Sequence, residues 1–186
     1  MLRKNAPALT LWMLVLFFTI TASVKAATAE EPRFSGTAEL FGLPLNNLHL
    51  SKIQEKLKSM GLYSYPSYKT GIVSYSLGSE GILGVTNATI YSNTSNYITK
   101  ALLSGVVQSK ESRQALGEVL TTKYGKPSAG FLSEGIGRAK WFFKEGTMIE
   151  FHNSTFDVSI LYVDEQPKVA SRSGKIDVEA LSRKNK

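Results

Sequence analysis

Residues 138–163 constrain the fold of this chain most, because they combine aromatic and β-branched residues with two well-spaced turn signals. Glu145-Gly146 predicts a two-residue hairpin loop, since glycine readily adopts the positive φ that such turns require. The run Asn153-Ser154-Thr155 predicts a second turn. The stretch as a whole therefore predicts a three-stranded antiparallel meander.

A two-residue loop fixes the register of this meander. Phe143 then faces Met148, and Trp141 faces Glu150. One predicted face carries Phe142, Ile149 and Phe151, and the other carries Trp141, Phe143, Met148, Glu150 and His152. Because both faces are largely apolar, we expect one to be covered by helices and the other to be either buried or a binding surface. The candidate binding residues are Trp141, Phe143, Met148 and Tyr162.

Residues 1–26 are predicted to be a signal peptide, since a basic start and small residues flank an apolar core over residues 9–20. Cleavage is expected near Ala26 or Ala29, which predicts a periplasmic or secreted protein. An uncleaved membrane anchor is the alternative, although the core is short for a span of about 20 residues. A flexible lead over residues 27–40 is expected to follow.

The sequence contains no cysteine, so an exported domain must be held together by packing alone. This composition is more typical of bacterial envelope proteins than of small disulfide-rich scaffolds. Residues 41–165 are long enough for a single domain with its own core. We expect no metal site, because His49 and His152 are the only histidines, and no motif predicts a cofactor.

The net charge of +7 is concentrated at the two ends of the chain. Of 22 basic and 15 acidic residues, three basic ones lie in the predicted signal peptide, and residues 166–186 hold six basic and two acidic ones. The remaining chain holds 13 of each, so it lacks the basic excess of a nucleic-acid-binding domain. The basic tail is expected to be disordered, and weak contact with an anionic membrane is its alternative role.

Two amphipathic helices are predicted. Ser51 and Gln54 match a capping box, and the first helix is expected to end at Gly61. Ser109 is expected to begin the second helix and Gly125 to end it. The predicted buried residues are Leu50, Ile53, Leu57 and Met60 in the first helix, and Ala115, Leu116, Val119, Leu120 and Tyr124 in the second.

Strands are predicted between the helices over residues 71–77, 82–91 and 97–103, and residues 128–137 are predicted to be a glycine-rich connection. A helix that ends at glycine and precedes antiparallel strands thus occurs twice. The predicted fold is α+β, with helices packed on antiparallel sheet. Two helix-then-meander halves are expected, residues 41–105 and 106–165.

Residues 41–45 (Phe-Gly-Leu-Pro-Leu), the first helix, and residues 123–127 (Lys-Tyr-Gly-Lys-Pro) before a tryptophan-containing meander resemble small bacterial periplasmic proteins of unknown function. The architecture is similar to the helix-on-meander modules of β-lactamase inhibitor proteins and outer-membrane assembly lipoproteins. The chain departs from the lipoproteins because it lacks the lipid-bearing cysteine. The resemblance carries over no functional residue.

These features favour an exported, non-enzymatic binding or inhibitory module that recognises a protein or an envelope component. One alternative is a small envelope hydrolase that uses Glu150 and His152, which share a strand face and pair a carboxylate with an imidazole. An immunity or secretion-system accessory protein is a second alternative. Tyrosines that could form a glycan or peptide platform are Tyr63, Tyr65, Tyr68, Tyr75, Tyr91 and Tyr97.

Overall fold

The computed structural model describes residues 36–65 and 68–169. The predicted signal peptide, both predicted cleavage positions and most of the basic tail lie outside the described residues. Within the two described ranges, no helix combines the length and the hydrophobicity that a membrane span requires.

The described residues form two helices, α1 (Leu50–Ser59) and α2 (Lys110–Tyr124). Two short strands, β1 (Glu39–Leu40) and β2 (Leu43–Pro44), pair as a small antiparallel sheet. The other strands are β3 (Ile72–Ser76), β4 (Asn87–Ser92), β5 (Ile98–Val106), β6 (Ala129–Ser133), β7 (Ile136–Phe142), β8 (Thr147–Asn153) and β9 (Asp157–Asp164). They form one antiparallel sheet in the order β3-β4-β5-β9-β8-β7-β6. The predicted α+β class is therefore confirmed.

The N-terminus of α1 differs from the predicted capping box. His49 is the N-cap residue, and its Nδ1 accepts a hydrogen bond from the backbone N–H of Ser51 at 3.3 Å. The assignment of Ser51 as the cap was wrong, because an imidazole nitrogen supplies the acceptor that a serine hydroxyl usually provides. Ile53 and Leu57 are buried as predicted, and Gly61 follows the helix with a φ of 77°.

The helix α2 begins and ends where the sequence predicts. Ser109 Oγ accepts a hydrogen bond from the backbone N–H three residues later, and Gly125 follows the last turn with a φ of 77°. Two residues predicted to be buried, Met60 after α1 and Val119 in α2, are instead 45% and 55% exposed. The buried side of α2 is formed by Leu116, Gly117, Leu120 and Tyr124.

Both helices cover the same face of the large sheet. The strand register places its buried side chains on one face, in alternate positions along each strand. The apolar residues among them include Tyr75, Ala88, Ile90, Ala101, Leu103, Ala139, Trp141, Ile149, Phe151, Val158, Ile160 and Tyr162. They form one core cluster with Ile53 and Leu57 of α1 and with the buried residues of α2.

The first hairpin of the meander closes on three residues, 144–146, where the sequence predicted two. Phe143 N donates to Thr147 O at 3.0 Å, and Gly146 has a φ of 79°. A three-residue loop with glycine in the left-handed region is the next most common hairpin connection. The glycine was therefore interpreted correctly as a turn residue, but the loop length was wrong.

This longer loop shifts the register of β7 against β8 by one residue, so the residues of β7 change faces relative to those of β8. Trp141 pairs with Ile149, and Phe142 pairs with Met148. The predicted pairing of Trp141 with Glu150 was wrong, as was the grouping of Trp141 and Met148 on one face. Trp141 lies on the covered face and is 2% exposed, whereas Phe142 lies on the opposite face and is 55% exposed.

The edge strand β6 lies inside residues 128–137, which were predicted to be a connection. Gly130 and Gly137 have positive φ, and a Cβ on either would overlap the backbone of the neighbouring strand, at Arg138 O and Phe131 O respectively. The glycines therefore permit a close approach of β6 and β7, which their loop-like composition concealed.

Packing extends beyond both predicted ends of the domain. Ala38 and Leu40, in the stretch predicted to be a flexible lead, are fully buried. In the predicted tail, Lys168 N donates to Asn47 Oδ1 at 2.8 Å, and Lys168 O accepts from Asn93 Nδ2 at 3.0 Å. The packed domain therefore includes residues 38–40 and the start of the tail.

Tyr162 makes the stability of the fold depend on pH in the alkaline range. Burial raises the pKa of Tyr162 well above that of a free tyrosine. Because the folded-state pKa is the higher one, its contribution to stability is complete below the unfolded pKa of about 10 and is lost as the pH rises above it. We expect the free energy of unfolding of Tyr162→Phe to fall less steeply with pH than that of the wild type, measured by urea unfolding from about pH 8 to about pH 11. Tyr63→Phe is the control, since Tyr63 is 74% exposed, and equal slopes for both variants would contradict the assignment.

Candidate functional site

The face of the large sheet opposite the helices is the candidate functional surface and is named the open face. None of its side chains is buried in the described structure. An antiparallel sheet can present one face to water, and such a face normally carries polar residues. The open face departs from this pattern, because apolar residues lie beside charged ones on its central strands.

The cross-strand register divides the open face into three rows. The polar row contains Phe131, Arg138, His152, Ser159, Ser104, Asn87 and Ser76. The central row contains Ala129, Lys140, Glu150, Leu161, Leu102, Thr89 and Ser74. The apolar row contains Phe142, Met148, Val163, Lys100, Tyr91 and Ile72.

Glu150 is the centre of a charged cluster on the open face. His152 Nε2 donates to Glu150 Oε1 at 2.8 Å, and Lys140 Nζ lies 3.2 Å from Glu150 Oε2. The hydrogen bond from His152 holds the pKa of Glu150 below its usual value, and Lys140 acts in the same direction. Glu150 is therefore ionised at neutral pH, and its charge is balanced by a neighbour.

Glu150 and His152 project from the same face, as their spacing predicts. Trp141 lies on the covered face, so the predicted apolar setting beside Trp141 was wrong. Ser159 lies opposite His152 in the strand register, but within the described residues no hydroxyl hydrogen-bonds to this imidazole. The hydrolase alternative stays a prediction.

The four predicted binding residues do not form one surface. Trp141 and Tyr162 are 2% and 6% exposed and lie in the core. Phe143 is partly buried, and its ring contacts that of Tyr124 edge to face, with 5.4 Å between centroids. Met148 lies partly exposed on the open face. Of the four, Met148 is the one that the open face includes.

Two exposed aromatic residues of the open face were missed. Phe142 is 55% exposed in the apolar row, and Phe131 is 74% exposed at the end of the polar row. The alternation in residues 138–142 would have identified Phe142, had the loop been given three residues. Phe131 had no such signal, because the glycines around it are typical of a loop.

The tyrosines proposed as a platform lie in different environments. Tyr75 is buried and belongs to the core, while Tyr63 is 74% exposed. Tyr91 lies on the open face, with Lys100 Nζ 4.5 Å from its ring centroid. Tyr97 contacts the ring of His49 edge to face. They therefore do not form a single platform.

Two cavities lie over the charged end of the open face. The larger has a volume of about 520 Å³ and is lined by Thr86, Asn87, Ser104, Gly105, Val106, Arg138, His152, Ser154, Thr155, Asp157, Val158 and Ser159. The smaller, of about 300 Å³, is lined by Ala129, Gly130, Arg138, Ala139, Lys140, Glu150 and His152. Arg138 and His152 line both. In the described part of the chain, no group of three histidine or carboxylate side chains could hold a metal ion.

Fold and surface together define an α+β domain whose seven-stranded antiparallel sheet is covered by helices on one face. No family model, curated protein or solved structure matches the chain. The chemistry of the open face therefore provides the basis for a functional proposal.

Proposed function

We propose that the chain is an exported, non-enzymatic binding or inhibitory module that recognises a protein partner through its open face. The observation that carries the proposal is that helices pack on one face of the sheet and leave the other face open. On this open face, Phe142 is more than half exposed beside Met148. Large exposed apolar side chains that cluster on a rigid surface commonly mark partner sites. Export is supported by the predicted signal peptide.

The arrangement of charges supports the same proposal. Lys140 and Glu150 lie in the row next to Phe142 and Met148, and they already pair with each other. A partner that covers the apolar row would therefore leave this pair at the rim, where an ion pair stays solvated and costs little to retain. Strands about 4.8 Å apart also hold the contact residues in a fixed spacing before binding.

The order of elements supports two helix-then-meander halves, residues 41–105 and 106–165. The helix α1 precedes strands β3 to β5, and α2 precedes strands β6 to β9. The two sets meet at the β5–β9 pair within one sheet. An inhibitory, immunity or secretion-accessory role would use the same open face. The balanced charge of the chain between leader and tail supports a partner other than nucleic acid.

Phe142→Asp is expected to abolish recognition of the partner while changing stability little, because the side chain is exposed and its replacement places a charge in the contact. Quantitative affinity capture from bacterial envelope extract, followed by titration of the captured protein, measures the effect. We expect the dissociation constant to rise by a factor of about ten or more.

Val119→Asp is the matched control, since Val119 is also 55% exposed but lies on α2, on the opposite side of the sheet. Capture should survive this substitution. Equal capture by wild type and Phe142→Asp would refute the proposed surface, and so would an equal loss for both variants.

A further inference from the structure

The middle of the polar row has short polar side chains on the inner strands of the sheet. Ser104 and Ser159 face each other on β5 and β9, the third and the fourth of the seven strands. Asn87 follows in register on β4. Polar residues are expected on a water-facing sheet, but strands favour larger β-branched and aromatic residues there, so the short side chains of this row leave space above the strands.

These small residues form the floor of a long groove. The cavity of about 520 Å³ is lined by the polar row from Asn87 on β4 to Arg138 on β7. With strands about 4.8 Å apart, this part of the row is about 19 Å long. A groove of that length accommodates an extended chain of linked units better than a single small molecule.

The groove offers hydrogen-bonding groups that face solvent. In the described structure, the hydroxyls of Ser104 and Ser159 make no hydrogen bond with another residue. Asn87 also lines the groove; its Nδ2 donates to Thr86 Oγ1 at 3.0 Å, and its Oδ1 accepts no hydrogen bond from another described residue, so it is a further acceptor. Hydroxyls both donate and accept, which matches the hydroxyl groups of a sugar chain.

Arg138 gives one end of the groove a positive charge. It is exposed, and among the described residues it forms no ion pair. The nearest carboxylate in the central row, Glu150, is already paired with Lys140 and His152. A free guanidinium binds carboxylates in a two-pronged geometry, so it favours a ligand that carries them. Asp157 also lines the cavity but lies on β9, two strands from β7.

An exposed aromatic ring lies directly beyond the arginine. Phe131 is the register partner of Arg138 on the edge strand β6 and is 74% exposed. The face of such a ring provides an apolar surface on which a sugar ring can stack. The row therefore presents, in order, an aromatic ring, a cation, an imidazole, hydroxyls and an amide.

We infer that the polar row binds an acidic oligosaccharide, with its carboxylates at Arg138 and its hydroxyls along Ser159, Ser104 and Asn87. A neutral sugar chain would form no ion pair with Arg138. A single small anion would form no hydrogen bonds with the hydroxyls along the row. The inference goes beyond the proposed protein partner, because it concerns another row of the open face and another class of ligand.

Isothermal titration of the chain with tetragalacturonate, a sugar chain with a carboxylate on every unit, tests the inference. Maltotetraose is the neutral probe, and tripolyphosphate is the anion without sugar hydroxyls. We expect tetragalacturonate to bind at least about tenfold more tightly than either of the other two. Absence of tetragalacturonate binding would overturn the inference, and so would equal binding of tripolyphosphate.

Two substitutions separate the site from general charge attraction. Arg138→Gln is expected to weaken tetragalacturonate binding by about tenfold or more, because it removes the carboxylate partner. Lys100→Gln, an exposed cation in the apolar row of the same face, is the matched control and should change binding less than about twofold. An equal loss of tetragalacturonate affinity in both variants would mean that binding depends on overall charge, and it would overturn the assignment of the site to the polar row.

A third variant keeps this test independent of the proposed protein partner. Phe142→Asp should lose capture of the protein but keep oligosaccharide binding, because Phe142 lies in the apolar row. Loss of sugar binding in this variant would overturn the assignment to the polar row. If the wild-type chain binds the sugar but captures no protein, the proposed function alone is refuted.

Discussion

Trp141→Ala is expected to lower the free energy of unfolding by about 3 to 5 kcal/mol, the usual cost of truncating a buried tryptophan. Trp141 is 2% exposed on the covered face, on the strand next to the edge strand β6. Its Nε1 donates to Gly125 O at 2.9 Å, and its ring lies 6.4 Å from that of Tyr124. The substitution therefore removes both a large apolar contact and the bond that ties β7 to the C-terminus of α2.

Chemical unfolding followed by circular dichroism measures this loss, and two variants calibrate it. Trp141→Phe keeps most of the apolar contact but removes the hydrogen bond, so it should cost less than Trp141→Ala. Phe142→Ala alters the next residue along the strand, which is 55% exposed, and should cost little. If Trp141→Ala proved no more destabilising than Phe142→Ala, Trp141 would be a surface residue, as the predicted register allowed.

The helix ends could be predicted because they depend on local chemistry. Ser109 and Gly125 were identified from cap preferences that act within one turn of the helix. The strands of the meander were likewise visible in their alternation and turn residues. These signals require no knowledge of distant parts of the chain.

The choice of faces could not be predicted in the same way. A glycine at position 146 fits both a two-residue loop and a three-residue loop with a left-handed last residue. The two loops differ by one residue in register, and that residue decides whether Trp141 or Phe142 is buried. The covering helix α2 decides between them, since its C-terminal carbonyl at Gly125 accepts the indole N–H.

The candidate site could be predicted only in part from the sequence, for a related reason. Glu150 and His152 lie two residues apart, so strand periodicity alone places them on one face. Arg138, Ser159 and Ser104 come from three further strands, and their alignment depends on the sheet order β5-β9-β8-β7. Nothing in the local sequence indicates that β9 inserts beside β5.

Gly117→Ala is expected to lower the free energy of unfolding by about 2 to 3 kcal/mol, although alanine is the better helix former by about 1 kcal/mol. A Cβ on Gly117 would overlap the backbone O and Cα of Gly135, in the turn between β6 and β7. The turn cannot easily move away. Asn153 Nδ2 donates both to Gly135 O at 2.9 Å and to Arg113 O at 2.6 Å, which holds the turn against α2.

The matched control for Gly117→Ala is the same substitution at Gly36, where an added Cβ meets nothing within 4 Å. Gly36→Ala should change the free energy of unfolding by less than about 0.5 kcal/mol. If close approach of backbone to backbone determines the position of α2 on the sheet, Gly117→Ala must be the more destabilising of the two in urea unfolding. A stabilising effect of Gly117→Ala would mean that helix propensity outweighs this contact, and that α2 can shift away from the β6–β7 turn at little cost.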